Sequence, residues 1–197
     1  MKQLSIVYFS GTGHTAKMAE AVQRGAQLVP NVVAELRPIL GTDIKEGRFS
    51  NAALLDQLTQ SDGIILGTPT YLGGPAAQFK AFVDATGSHW YRREWAGKIA
   101  AGFTHSGSPS GDKLSTLQYL SLFAAQHGMI WVGNEPLPSA GAEGDEVNRA
   151  GAFLGAMGYG RDPAEVDPGD LRTAELLGQR VASVAVAFVR QPEIAAA

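Results

Sequence analysis

The hexapeptide Ser10-Gly11-Thr12-Gly13-His14-Thr15 follows a short apolar run, and its composition suits it to holding an anion. Gly11 and Gly13 let backbone N–H groups turn inward, the helix predicted to follow presents the positive end of its dipole, and Ser10, Thr12 and Thr15 add hydroxyl donors. That donor set fits a terminal phosphate. The loop itself carries no Lys or Arg, so dipoles and neutral hydrogen bonds are expected to provide most of the compensation. The same glycines satisfy a dinucleotide fingerprint, Gly11-x-Gly13-x-x-Ala16, with Glu35 as a ribose partner. A pyrophosphate site uses few hydroxyls, however, and the three here favour a monophosphate. A Walker loop is absent, because the Gly97-Lys98 pair is followed by Ile99. Two further loops share the glycine and hydroxyl density: Thr68-Pro69-Thr70-Tyr71-Leu72-Gly73-Gly74-Pro75 and Thr104-His105-Ser106-Gly107-Ser108-Pro109-Ser110-Gly111. The second resembles a nucleophile elbow, but Pro109 stands where the serine would be.

Outside these loops His127 directly precedes Gly128, and from the residues alone a helix dipole with a glycine cap explains a histidine there better than a catalytic role does. His14 and His105 are expected as polar loop residues beside a ligand, and His89 flanks Trp90. Histidines and carboxylates show no metal-ligand spacing, so no metal is expected. Trp90-Tyr91-Arg92-Arg93-Glu94-Trp95 mixes aromatics with cations. Such a mix could stack on single-stranded nucleic acid, which a single two-Arg cluster on a net acidic chain argues against, or anchor against another subunit.

These residues need a scaffold that gathers loops at one edge. Leu4 to Phe9 reads as a strand buried on both faces, and Ala19, Val22, Ala26 and Val29 recur at helical spacing until Pro30-Asn31. Strands follow at Val32–Leu36, Gly63–Gly67, Ile99–Phe103 and Met129–Val132. Between them lie a short helix around Leu54, Leu55 and Leu58, a helix opened by Pro75 with Phe79, Phe82 and Val83 inward, and a helix over Leu114–Gln126. Asp167-Pro168-Gly169-Asp170 caps a last helix whose face is Ala174, Leu177, Val181, Val184 and Phe188. Five strands alternating with helices predict an α/β doubly wound parallel sheet. Only the order 2-1-3-4-5 brings the three glycine-rich loops together at the carboxyl ends of adjacent strands. The chain is read as one domain, 1–197, with 133–167 a loop excursion over the site and 191–197 a frayed tail.

Composition narrows the function. The 197 residues contain no cysteine, which removes disulfide, thiolate-metal and Cys-nucleophile chemistry. A net charge of −3, from 16 Lys plus Arg against 19 Asp plus Glu, provides no basic footprint for nucleic acid. Neither a signal peptide nor a membrane span is legible, so a soluble cytoplasmic protein is expected.

With these residues in view, the chain resembles the flavodoxin-like superfamily, and within it the tryptophan-repressor-binding-protein (WrbA) type of NAD(P)H:quinone oxidoreductase. Ser10-Gly11-Thr12-Gly13-His14-Thr15 is similar to the FMN phosphate loop Ser/Thr-x-Thr-Gly-x-Thr. Gly67-Thr68-Pro69-Thr70, Asp84-Ala85-Thr86-Gly87-Ser88-His89-Trp90, Gly97-Lys98 and His127-Gly128-Met129 resemble segments of that type in the same order. The similarity covers most of the first 132 residues. It implies FMN contacts by Ser10, Gly11, Thr12, Gly13, His14 and Thr15, by Pro69, Thr70, Tyr71, Leu72 and Gly73, and by His105, Ser106, Gly107, Ser108, Pro109 and Ser110. It further implies His127 near the flavin edge as the catalytic residue, Trp90 at the substrate wall, NAD(P)H and a quinone-like acceptor as substrates, and a homo-oligomer, dimer or tetramer. The chain departs from many members at Thr12, where they carry Tyr, and at Tyr71-Leu72-Gly73-Gly74, where they carry Arg-Phe-Gly-Asn. Gly151 to Gly155 also lacks their Pro-Tyr-Gly-Ala stretch. A flavodoxin-type electron carrier and a flavin-binding regulatory protein are the alternatives. Carriers are usually strongly acidic, so −3 favours the enzyme.

Overall fold

The computed structural model describes residues 1–139, 146–162 and 165–188. The expected strands are β1 (Lys2–Tyr8), β2 (Val32–Pro38), β5 (Gly63–Tyr71), β7 (Ile99–Ser106) and β8 (Ile130–Trp131). They form a sheet in the order β2-β1-β5-β7-β8, which is the expected 2-1-3-4-5 arrangement. Neighbouring strands along this path are parallel, because each crossover is a helix that returns the chain to the same edge. Alternation along the strands then divides the apolar side chains between two faces. Leu4, Ile6 and Ile65 meet α1 (His14–Gln27) and α6 (Pro168–Ala187) through Met18, Val22, Leu177 and Val181. Val7, Ile64 and Leu66 meet the other layer through Leu58, Phe79, Leu117, Leu120 and Phe123. That layer comprises α2 (Ala52–Gln60), α3 (Ala77–Ala85) and α5 (Lys113–Gln126). Asn51 caps α2 by accepting from Leu54 N at 3.0 Å, and Asp167 caps α6 by accepting from Gly169 N at 2.8 Å with Pro168 next.

The fold departs from the sequence reading in four places. The fifth strand is split. After β8 the chain leaves the sheet and returns as β9 (Ala156–Tyr159), which continues along β7 from Phe103↔Ala156 to Ser106↔Tyr159. Part of the expected loop excursion is therefore strand, hidden because Met157 and Gly158 break any apolar period. Pro75 does not open the third helix: it lies in β6 (Gly74–Pro75), which turns back on β5 through Leu72 (φ 47°) and Gly73 (φ 79°), so α3 starts at Ala77. A small hairpin, β3 (Ile44–Lys45) with β4 (Arg48–Phe49), and the short α4 (Gly87–Tyr91) occupy segments read as polar connections. Finally, Trp95 belongs to no exposed aromatic patch. It is fully buried in the second core with its indole N–H on Thr59 Oγ1 at 2.9 Å, whereas Trp90 and Tyr91 are exposed. The expected frayed tail, 191–197, lies outside the described residues.

Candidate functional site

The loops after β1, β5 and β7 converge at the carboxyl edge of the sheet, where they line a cleft of about 270 Å³. Gly13 leaves β1's extended course at φ 99°, a value that suits glycine, and becomes the residue before α1. The Ser10 hydroxyl closes the loop by accepting from Gly13 N at 3.1 Å and Ala16 N at 3.2 Å. Among the described residues no acceptor is found for the backbone N–H groups of Gly11, Thr12, His14 and Thr15. Four unpaired donors at a helix N-terminus make an anion site, which satisfies the requirement for a phosphate-bearing cofactor. A side chain on Gly11 would collide with the Tyr71 hydroxyl, so Tyr71 reaches across this loop.

The other expected residues take different parts. The Thr70 hydroxyl is committed to Thr104 Oγ1 and Thr116 Oγ1, each at 2.8 Å, and so braces β5 against β7 and α5. Pro69 and Tyr71 line the cleft, Leu72 is fully exposed beside it, and Gly73 makes the turn. His105 stacks on His14 with ring centroids 4.4 Å apart and planes at 12°, coupling the first loop to the third. His14 is held by Thr12 Oγ1 at 2.9 Å on Nδ1 and by the Asp162 carbonyl at 2.6 Å on Nε2. Burial, helped by the positive groups nearby, pushes the His105 pKa down to about 4, so it is neutral at pH 7. Its Nε2 is buried without a partner among the described residues. Ser106 and Gly107 line the cleft; Ser108, Pro109 and Ser110 are exposed, and Pro109 and Ser110 line a separate cavity with Phe153 and Leu154.

Arg161 contributes the positive charge that local sequence did not provide. It follows β9, lines the cleft with Gly160, and donates from Nε to Gly107 O at 3.4 Å. Sequence reading missed it because 150 positions separate it from Gly11 and no period marks the strand before it. The available signal was Tyr159-Gly160-Arg161, a cation just beyond a glycine.

His127 and Trp90 stand elsewhere. His127 ends α5 near the amino end of β7, where Gly97 N bonds Gly128 O at 2.9 Å; His105 is about 20 Å further along the strand by its rise per residue. Buried between Trp95 (4.6 Å, stacked) and Phe123 (4.8 Å, edge-on), His127 shares a hydrogen bond of 3.0 Å with Thr86 Oγ1. Burial, with Arg93 and His89 adding to it, lowers its pKa to about 4. Trp90, on α4, is 43% exposed at the same end of the sheet.

A doubly wound sheet of this order with a phosphate-binding loop after its first strand defines a flavodoxin-like protein. The chain belongs to the NADPH-dependent FMN reductase family, whose profile matches residues 5–143. It is 39% identical over 189 residues to flavodoxin FldP of Pseudomonas aeruginosa, covering 93% of this chain and 97% of that protein. It is 35% identical over 198 residues to an NAD(P)H dehydrogenase (quinone) of Archaeoglobus fulgidus, covering 94% and 98%. The crystal structure of a WrbA-like flavodoxin from Agrobacterium tumefaciens superposes with a TM-score of 0.75 at 41% identity, covering 95% of this chain and 99% of that one. FMN is the cofactor of this chain.

Proposed function

We infer that the chain is an FMN-dependent oxidoreductase that passes a hydride from NAD(P)H to a quinone or similar small acceptor by two-electron reduction. The observation that carries this reading is the open anion cradle of residues 10–15, set in a chain alike over nearly its whole length to a quinone-reducing NAD(P)H dehydrogenase. FMN bound here would supply the hydride-accepting and hydride-donating chemistry. The protein's part is positional. The free amides of Gly11, Thr12, His14 and Thr15 and the Arg161 guanidinium hold the phosphate, and the His14–His105 stack keeps the first and third loops in register. Pro69 to Gly73 and His105 to Ser110 are the segments that would hold the rest of the cofactor.

The cleft, of about 270 Å³, sits at the carboxyl edge, and Pro109 and Ser110 of the third loop line a second cavity of about 620 Å³. We propose that a homodimer or homotetramer completes the site. Within one chain Trp90 and His127 lie far from the cleft, so their roles as substrate wall and proton-handling residue require the amino-end face of a second copy. The chain acts as a single cytoplasmic domain. Among the described residues no helix is long and apolar enough to cross a membrane.

A second reading, an electron carrier, is favoured by the relative named a flavodoxin. Steady-state NAD(P)H oxidation with benzoquinone separates the two. The enzyme shows ping-pong kinetics and anaerobic bleaching of bound FMN by NADPH or NADH; bleaching by neither nucleotide selects the carrier.

A further inference from the structure

Lys113 opens α5 and is fully buried, yet the site as described leaves it without a task. A cation in the first turn of a helix opposes the dipole, and burial strips its hydration, so both effects work against a lysine here. Its ammonium donates to Ser106 Oγ at 3.0 Å, to the Ser108 carbonyl at 2.7 Å and to the Pro109 carbonyl at 2.9 Å. All three of its donors thus go to the last residue of β7 and the loop that follows it. Among the described residues no carboxylate is paired with it. Burial brings its pKa down to about 8, with the Asp170 charge opposing and the Arg149 charge reinforcing that fall from a distance.

The loop is wound around this ammonium. Gly111, at φ 53°, packs so closely on Ser106 Oγ that a side chain there would collide with it. A trans peptide is planar, with its carbonyl and the following N–H pointing opposite ways. Drawing the Pro109 carbonyl onto Lys113 therefore turns the Ser110 N–H away from it, and that N–H has no acceptor among the described residues.

We propose that Lys113 is a positioning residue for the flavin: it folds residues 106–110 so that the Ser110 amide stands free for the cofactor, and it keeps a buried positive charge beneath that loop which favours the cofactor's more negative, reduced state. This rests on the FMN reading above. A buried charge acts through a low dielectric and is little screened by salt, so its effect reaches a ligand lying on the loop.

The test uses the FMN-loaded protein and two variants. Lys113→Gln keeps hydrogen-bond donors without the charge, and Lys113→Met removes both. Dissociation constants come from flavin fluorescence, the midpoint potential from dye-coupled titration, and loop order from amide hydrogen exchange over 106–112. Lys113→Gln should retain loop protection and FMN affinity within about threefold. Its preference for reduced over oxidised FMN should fall about tenfold, equal to about 30 mV for a two-electron couple. Lys113→Met should show the same fall in potential, faster exchange in the loop, and FMN binding weaker by about tenfold or more. If Lys113→Met does not fold, the Gln variant carries the test through its potential. Wild-type potential and affinity in the folded variants would overturn the proposal. A wild-type chain that fails to bind FMN defeats the cofactor reading instead, so the two failures are distinct.

Discussion

At the level of single residues, the site separates groups that bind from groups that only shape the binder. The Ser10 oxygen accepts from Gly13 N and Ala16 N, which shapes the cradle and leaves its O–H proton to donate, whereas the Thr70 hydroxyl is bonded to Thr104 and Thr116. The binding capacity resides in amides that nothing in the described chain satisfies and in Arg161. An exposed guanidinium beside a phosphate is worth on the order of 1 kcal/mol. Arg161→Ala should therefore raise the FMN dissociation constant about fivefold to tenfold while leaving riboflavin within about twofold. Flavin fluorescence quenching with the two ligands measures both, and an equal loss for each would remove Arg161 from the phosphate end.

Among the elements, the split fifth strand decides what reaches the cleft. β9 brings Gly160 and Arg161 to the carboxyl edge, and it is latched there by Asp170 at the start of α6. The Asp170 carboxylate, buried, accepts from Tyr159 N at 3.0 Å and from Arg149 Nε and Nη2, each at 2.9 Å; Arg149 in turn stacks over the Tyr159 ring at 4.1 Å. Removing the Asp170 carboxylate leaves the Tyr159 N–H without its acceptor and Arg149 with Asp167, at 3.0 Å, as its remaining carboxylate partner. Asp170→Ala should destabilise the fold by about 2–3 kcal/mol in urea titration. A loss below about 1 kcal/mol would show that β9 is held by its ladder with β7 alone.

For the whole molecule, acidity and assembly are the relevant variables. His105 and His127 are both held near pKa 4 by burial, against about 6.5 when unfolded. Between those values the unfolded chain binds more protons, so stability falls as pH drops from 6.5 towards 4, by up to about 3 kcal/mol per histidine. Urea midpoints at pH 7 and pH 4.5 check the sign, and His127→Gln should flatten part of the slope; equal midpoints in wild type would contradict it. Assembly is tested by light scattering. Trp90→Ala should weaken self-association and quinone turnover while FMN affinity stays within about twofold, since Trp90 and the phosphate loop stand at opposite ends of the sheet. A wild-type monomer at micromolar concentration would end the assembly proposal.

The alternation of apolar strands with capped helices and the glycines of the phosphate loop were legible from sequence because each is written in neighbouring residues, and the order of the sheet because only one order gathers the three glycine-rich loops. Tertiary structure alone decided the rest. Tyr71 lies over Gly11, Trp95 is core while Trp90 is surface, Lys113 is wrapped by its own loop, and Arg161 arrives at the anion cradle on a strand that no period announced. Periodicity and capping report which face of an element is buried, over a few turns at most. Which residues meet across 60 or 150 positions depends on where each crossover returns the chain, and that is settled only when the layers close on the sheet.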